Sequence, residues 1–120
     1  WHDYDTAYTE RYLGVPHDAK TEAVSAQSSL LEMARKTTLP RPLLLMHGTA
    51  DDNVYFSHSL LLAESLARAD RPFTFIPLLG QTHLVADPAR QLLTWKETVD
   101  FLRYKLWGAP NGPDSPHYLQ

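Results

Sequence analysis

The feature that most constrains the fold is a short, unbroken apolar run that is followed by two adjacent carboxylates. Residues 42–48, PLLLMHG, contain no polar alternation, and Asp51 and Asp52 come a few positions later. Such a run is typical of a strand that is buried on both faces of a parallel sheet. A second run, PFTFIPLLG at 72–80, has the same character, although Pro77 restricts it to an edge or late-ending strand. The sequence therefore predicts an α/β fold with two neighbouring parallel strands.

Helical patterns follow each of these strands. Between them, apolar and small residues recur at helical spacing, with Leu62, Leu66 and Ala69 among them. After the second strand, Asp87 and Pro88 form a side-chain N-cap and a first helical position. The helix that starts there is predicted to end at Gly108, and its apolar residues are spaced three and four apart: Leu92, Trp95, Val99, Leu102 and Leu106. The order strand, helix, strand, helix is that of a parallel α/β unit with a crossover helix.

The first residues carry aromatic side chains at helical spacing. The set consists of Trp1, Tyr4, Tyr8 and Tyr12, and a helix with these four on one side is predicted to end at Gly14 and Pro16. Such a stripe is more often core than pocket, whereas its hydroxyl groups favour a lined cavity, so both interpretations stay open. Residues 17–29 are predicted to form a loop with a short helix, and residues 30–34 another helical turn.

Composition excludes several classes of function. The 120 residues are 43% hydrophobic, which predicts one ordered globular domain. A net charge of -3 with interspersed signs argues against nucleic acid as a partner. The chain has no cysteine and no apolar run long enough to span a membrane. It opens without Met, inside an expected helix, so we expect a piece of a longer protein that is secreted, periplasmic or cytosolic.

Polar residues with catalytic potential follow both predicted strands. In parallel α/β sheets the working residues lie beyond the carboxyl ends of the strands. Asp51 follows the first strand and His83 the second, so a carboxylate and an imidazole can meet there as two members of a hydrolytic triad. The third member would be a serine on a G-x-S-x-G turn, and no serine in the chain has those flanking glycines. We therefore expect the nucleophile upstream of Trp1.

Each of these residues also has a structural interpretation. An aspartate after a buried strand is often a turn former or a helix cap, and we expect Asp52 to be structural, either capping the turn or solvated. His47 is predicted to be a core histidine, or one behind the site, that bonds to backbone atoms. A metal site is disfavoured because no His-x-x-x-His or comparable spacing occurs, and no cofactor is expected.

Two separate motifs resemble one family of peptidases. HGTADDNVYF at 47–56 and YDTAYTERYLGVP at 4–16 are similar to the C-terminal catalytic segment of the dipeptidyl peptidase IV subfamily of prolyl oligopeptidase-type serine peptidases. The resemblance covers residues 1–107 and implies the last two parallel strands, the crossover helix and the C-terminal helix of an α/β-hydrolase fold. Residues 108–120 are predicted to be a tail rich in proline and glycine. The 32 residues from Asp51 to His83 (83 − 51) suit this family.

The resemblance implies roles for particular residues. Asp51 corresponds to the triad acid, His83 to the base, and Asn53 to a polar side chain that hydrogen-bonds a substrate carbonyl. The positions that wall the pocket for the residue before the cleaved bond correspond to Trp1, Tyr4, Tyr8 and Val54. An aromatic box of this kind suits a proline ring, which is apolar and rigid. Leu84 departs from the pattern, because a small residue is expected after the histidine.

The implied function is that of a serine peptidase that releases N-terminal dipeptides, X-Pro or X-Ala, from peptides. Its expected partners are such a peptide substrate and the upstream remainder of the same enzyme, a propeller and the rest of the hydrolase domain. Without the serine, the 120-residue chain alone is expected to be inactive. Because two strands with apolar faces need covering, it is also expected to self-associate. The alternatives are an acylaminoacyl peptidase or esterase, and a non-catalytic pseudoenzyme or interaction module.

Overall fold

The computed structural model describes residues 4–15, 18–36 and 41–107. Its helices and strands, in chain order, are α1 (Thr6–Leu13), α2 (Ala19–Ser28), α3 (Leu30–Lys36), β1 (Leu43–Gly48), α4 (Phe56–Arg68), β2 (Phe73–Leu78) and α5 (Pro88–Trp107). Some predictions concern residues outside the described ranges: those for Trp1, Pro16 and Gly108, and that of the C-terminal tail. The two predicted strands and the two helices that follow them are present, so the α/β assignment is confirmed.

The strands β1 and β2 pair in parallel, and α4 connects them. Leu43 lies beside Phe73 at one end of the ladder, and Gly48 lies beside Leu78 at the other. Pro77 lies opposite His47, one residue before β2 ends. A proline is tolerated there because the strand is at an edge of the sheet and is about to end. Since both strands end at the same level, the loops that leave them emerge side by side at one edge of the sheet.

The sheet is only partly covered in the described part of the chain. There, each strand pairs with the other alone, which leaves one edge of each strand without a strand partner. Leu43 is exposed, and Leu44, Leu45 and Phe75 are only partly buried. The predicted uncovered sheet is therefore present among these residues, while self-association stays a prediction.

Helix α5 begins where the sequence predicts, but its apolar stripe is not its buried face. The Asp87 side chain accepts a hydrogen bond of 2.8 Å from the Ala89 N–H and caps the helix. Phe101 is buried, whereas the predicted stripe is exposed: Leu92, Trp95, Val99, Leu102 and Leu106. Periodicity identifies an apolar face of a helix, but it does not identify what covers that face.

The N-terminal helices differ from the prediction in their boundaries. Helix α1 begins at Thr6, because the Asp5 side chain accepts a hydrogen bond of 2.9 Å from the Tyr8 N–H and caps the helix there. The aromatic stripe nevertheless forms: the ring of Tyr8 lies 5.9 Å from that of Tyr4 and 5.1 Å from that of Tyr12. Instead of a loop with a short helix, α2 extends over Ala19–Ser28.

The chain divides into two compact units. One consists of Trp1–Pro40 with Leu60–Arg71, and the other of Arg41–Ser59 with Pro72–Gln120. The first unit contains α1, α2, α3 and most of α4, and its buried side chains include Ala34 and Leu66. The second contains both strands, the first turn of α4 and α5.

Among the described helices, none combines the length and the apolar character that a membrane crossing requires.

Candidate active site

The loops that follow β1 and β2 are joined by backbone hydrogen bonds at the edge of the sheet. The Thr49 N–H donates to the Leu78 carbonyl at 3.1 Å, and the Ala50 N–H donates to the Gln81 carbonyl at 3.0 Å. The Gly80 N–H donates to the Thr49 hydroxyl at 2.9 Å. These bonds bring the carboxylate loop (residues 49–55) and the histidine loop (residues 79–87) into register, as the parallel pairing of their strands requires.

Gly48 allows the two loops to approach each other. A Cβ atom at this position would lie 2.7 Å from the Thr82 carbonyl oxygen and would also collide with the carbonyl oxygen of Gln81. Only a residue without a side chain fits there, because backbone atoms cannot move aside without breaking the loop contacts. The glycine of the HG pair therefore sets how closely the histidine loop packs on the end of β1.

Asp51 lies at the centre of the site and is almost completely buried. Only 4% of its side chain is exposed. Its Oδ1 atom accepts two backbone hydrogen bonds, from the Asn53 N–H at 3.0 Å and from the Val54 N–H at 2.9 Å. The carboxylate thus organises its own loop, as expected for a turn-forming aspartate, while Oδ2 is left to face side chains.

His83 pairs with the second carboxylate oxygen. Its Nδ1 atom lies 3.0 Å from Asp51 Oδ2, and 47% of its side chain is exposed. The carboxylate and the imidazole therefore meet at the ends of neighbouring strands, as the order of the elements predicts. Among the residues that the structure describes, the Nε2 atom of His83 forms no hydrogen bond, so this nitrogen is available to a group that approaches from outside the described part of the chain.

The environment of Asp51 keeps it ionised. Burial by itself raises the pKa of this carboxyl group, but its hydrogen bonds more than compensate. The strongest of these comes from the Val54 N–H, followed by those from His83 and from the Asn53 N–H, and the charge of His83 adds to them. Together they lower the pKa of Asp51 from 3.8 to about 2.

The ionised carboxylate determines where the proton of His83 lies. A carboxylate can only accept hydrogen bonds, so the Nδ1 atom that contacts Oδ2 must carry a hydrogen. In the neutral imidazole of His83, Nε2 then holds a lone pair and can accept a proton. This arrangement can act as a general base whose orientation is set by a buried acid.

The other predicted site residues are distributed over both units. Asn53 and Val54 lie two and three positions after Asp51, and their backbone N–H groups bind its carboxylate. Tyr4 and Tyr8 belong to the first unit, so a common pocket with Asn53 and Val54 stays a prediction. Trp1 lies outside the described residues.

Two positions next to the paired residues face solvent. Asp52, which was expected to be structural, has an exposed side chain, whereas Asp51 before it is buried. Leu84, which departs from the family pattern, is 77% exposed. A large side chain is accommodated there because it points away from the loop, so this departure does not disturb the pairing of His83 with Asp51.

Behind the carboxylate, sequence reasoning identified His47 but missed its contact with Asp51 and the role of Ser59. His47 binds a backbone carbonyl, as predicted, and it also contacts Asp51. Ser59, in the first turn of α4, is buried and contacts the same histidine. No local signal singles out Ser59, because it is one of several serines in a helical pattern.

Within the described ranges, no cluster of three or more histidine or acidic side chains is arranged to hold a metal ion.

Comparison with known proteins identifies the family. The model of the prolyl oligopeptidase family matches residues 1–108. The chain belongs to the prolyl oligopeptidase family. Dipeptidyl peptidase 8 of Mus musculus and that of Homo sapiens are each 40% identical to it over 88 residues, which cover 73% of this chain and 10% of each relative. Dipeptidyl peptidase 4 of Felis catus is 35% identical over 92 residues, 76% of this chain and 12% of that relative.

A solved structure supports the same assignment. The crystal structure of Porphyromonas gingivalis dipeptidyl peptidase 4 is similar with a TM-score of 0.77 and 29% identity, covering 86% of this chain and 14% of that one. The chain thus corresponds to a C-terminal part of the α/β-hydrolase domain of a dipeptidyl peptidase IV-like family member, and the resemblance noted in the sequence is confirmed. It spans about a tenth of the length of the dipeptidyl peptidase 8 relatives that it matches.

Proposed function

We propose that the protein containing this chain is a serine peptidase that releases N-terminal dipeptides, X-Pro or X-Ala, from peptides. Asp51 is the triad acid, His83 is the base, and the serine lies upstream of Trp1. The observation that supports this best is the 3.0 Å contact between Asp51 Oδ2 and His83 Nδ1 at the tips of adjacent parallel strands. Membership of the prolyl oligopeptidase family supports the same reaction class.

In this proposal the chain supplies proton transfer. His83 Nε2 takes the proton of the serine hydroxyl as the oxygen attacks the carbonyl carbon, and returns it to the leaving amine as the peptide bond breaks. The same nitrogen then takes a proton from water as the water oxygen attacks the acyl ester, and it gives that proton to the serine oxygen when the ester bond breaks, which releases the dipeptide and regenerates the serine. Asp51 stabilises the imidazolium that forms in each half-reaction and keeps its Nδ1 hydrogen directed at the carboxylate.

Substrate recognition is proposed for a second group of residues. Asn53 hydrogen-bonds a substrate carbonyl, and the slot for the residue before the cleaved bond is lined by Trp1, Tyr4, Tyr8 and Val54. The assignment is carried by the names of the relatives, which are dipeptidyl peptidases, and by the aromatic stripe along α1. The upstream remainder of the same protein is the partner that provides the serine and binds the free amino terminus.

The first prediction tests the two triad residues in the full-length protein. Asp51→Asn and His83→Ala are each expected to lower kcat for a Gly-Pro chromogenic amide on the order of 10³- to 10⁴-fold. Asn can still accept the two backbone hydrogen bonds at Oδ1, so Asp51→Asn removes the charge with little change in the loop. The matched control is Asp52→Asn, which neutralises the neighbouring exposed carboxylate and is expected to stay within about three-fold of wild type.

The outcomes separate the alternatives. A large loss in the Asp52 variant with a small one in the Asp51 variant would mean that the wrong aspartate has been assigned, and equal losses would mean that the negative charge of the loop matters but not which carboxylate carries it. Turnover of N-acetylated amides in preference to those with a free amino terminus would indicate an acylaminoacyl peptidase. A wild-type protein that hydrolyses none of these substrates would contradict the peptidase proposal and favour a non-catalytic relative.

A further inference from the structure

His47 is a buried histidine that the proposed proton transfer does not use. It lies in β1, 11% of its side chain is exposed, and both ring nitrogens have partners. Its Nδ1 atom lies 2.6 Å from the Ser59 hydroxyl. Its Nε2 atom lies 2.8 Å from the Val54 carbonyl oxygen and 3.1 Å from Asp51 Oδ2. One imidazole therefore connects the strand, the carboxylate loop and the first turn of α4.

The partners of His47 determine its tautomer. The Val54 carbonyl and the ionised Asp51 carboxylate can only accept hydrogen bonds, so Nε2 carries the hydrogen. In the neutral ring Nδ1 is then an acceptor, and the Ser59 hydroxyl can donate to it. Every polar atom of the ring is satisfied in this state, so His47 has no free nitrogen with which to exchange a proton with substrate.

The ring of His47 is also held in place by packing. The Phe56 ring meets it edge-on, with the centroids 5.6 Å apart, and stacks in turn on Phe75 of β2 at 5.8 Å. Ser59 is only 6% exposed, so the hydroxyl that binds Nδ1 is fixed in the interior of its helix turn. His83 by contrast is half exposed and lies on a loop. Of the two histidines that contact Asp51 Oδ2, His47 is the rigid one.

We propose that His47 is a positioning residue that holds the Asp51 carboxylate in the orientation from which it binds His83, an inference that rests on the proposed function. The two backbone bonds to Oδ1 fix one oxygen and leave the carboxylate free to turn about it. The Nε2–H of His47 fixes the second oxygen. The same N–H binds the Val54 carbonyl, whose own residue donates to Oδ1, so the loop and the carboxylate are oriented together.

Two substitutions separate the hydrogen bonds of His47 from its volume. In His47→Gln the side-chain amide reaches the position of Nε2 and can still donate to Asp51. In His47→Asn the amide reaches only the position of Nδ1 and can bind Ser59 alone. In the full-length protein, with a Gly-Pro chromogenic amide, His47→Asn is expected to lower kcat about 10²-fold with KM within about three-fold, whereas His47→Gln stays within about ten-fold.

A packing role predicts a different result. If His47 only fills space, both variants lose activity equally, in proportion to their loss of thermal stability, and equal losses would overturn the proposal. Ser59→Ala is a milder variant should His47→Asn not fold: it leaves the Nε2 donor in place but removes the partner that holds the ring. Its expected effect is a several-fold lower kcat with unchanged KM, and a wild-type kcat would contradict the inference.

A measurement that does not depend on turnover completes the test. Crystal structures of the full-length His47→Asn and His47→Gln variants are expected to differ in one distance, from Asp51 Oδ2 to His83 Nδ1. In the Asn variant this distance should exceed about 3.5 Å, and in the Gln variant it should remain a hydrogen bond. An unchanged distance in both would overturn the role of His47. If the wild-type protein cleaves no amide, the proposed function fails, and this distance still decides the positioning role.

Discussion

At the scale of single residues, Asp51 combines two properties that oppose each other. Its side chain is almost fully buried, and burial disfavours a charge, yet its pKa lies at about 2. The charge is retained because four hydrogen-bond donors surround it, two from the backbone and two from histidines. A buried carboxylate that is satisfied in this way is suited to stabilise a positive charge beside it.

The second prediction concerns pH, and it follows from the lowered pKa of Asp51. A carboxyl group with a folded pKa of about 2 and an unfolded pKa of 3.8 stabilises the fold fully above the unfolded value and loses this contribution as the pH falls through the folded value. The contribution is on the order of 2 kcal/mol at neutral pH, and about half of it remains at pH 3.

The measurement compares free energies of unfolding of the full-length protein and of its Asp51→Asn variant between pH 6 and pH 3. The wild type is expected to be the more stable near pH 6, and the difference should narrow as the pH falls. A difference that stays constant over this range would mean that the charge of Asp51 does not contribute to folding.

At the scale of secondary-structure elements, the site depends on how two loops pack at the ends of parallel strands. The register of β1 and β2 aligns Gly48 with Leu78, so the residues that follow them start level. Backbone hydrogen bonds then join the loops, and the absence of a Cβ at Gly48 permits their contact. The backbone sets how closely the two loops approach, and Asp51 then organises its own loop through two backbone hydrogen bonds.

The third prediction tests that backbone contact through Gly48→Ala. The added methyl group collides with two carbonyl oxygens of the histidine loop, so the loop must shift and carry His83 away from Asp51. We expect kcat/KM for the Gly-Pro amide to fall about 10²-fold or more, since a displacement near 1 Å can have that effect.

The control for this substitution is Gly80→Ala in the same histidine loop. A Cβ atom at Gly80 has no neighbour within 4 Å, but the residue has a φ of +70°. The variant is therefore expected to lose about 1 kcal/mol of stability without a comparable loss of activity. Wild-type kcat/KM in Gly48→Ala would show that the loops tolerate separation and that their close contact is not needed for activity.

At the scale of the whole molecule, the proposed substrate slot takes residues that lie far apart in the chain. The aromatic stripe of α1 belongs to the first unit, and Asn53 and Val54 belong to the second. The slot therefore requires that residues nearly fifty positions apart face the same substrate. This is a requirement on the complete protein, so only a measurement on the complete protein tests it.

The fourth prediction compares X-Pro and X-Ala amides. If Tyr8 packs against the proline ring, Tyr8→Ala should lower kcat/KM for X-Pro by about 10- to 200-fold and lower that for X-Ala less. Val54→Phe should exclude proline more than alanine, because the ring needs the width. The control is Tyr12→Ala, one turn further along α1, which is expected to leave the ratio unchanged. An unchanged ratio in the Tyr8 variant as well would assign the stripe to the core.

The amino-acid sequence is enough to predict the two strands, the start of α5 and the residues that meet at the sheet edge. Unbroken apolar runs identified both strands, an Asp-Pro pair located the start of α5, and the order of elements predicted parallel pairing. Parallel strands bring their carboxyl ends together, so the approach of His83 to Asp51 followed from chain order alone. These features are local, or follow from topology, and for that reason a single sequence contains them.

The groups that surround the Asp51–His83 pair depend on tertiary contacts, which the sequence does not reveal. Oδ2 of Asp51 is shared with His47, and Ser59 holds that histidine from the first turn of the next helix. Periodicity also did not predict that the apolar stripe of α5 is exposed. Nor did it predict that the Asp5 side chain caps α1, so that this helix begins at Thr6. A spacing pattern shows which residues share a face of a helix or strand. The hydrogen-bond partners of those residues, and the segments that cover that face, depend on where distant parts of the chain lie in the folded backbone.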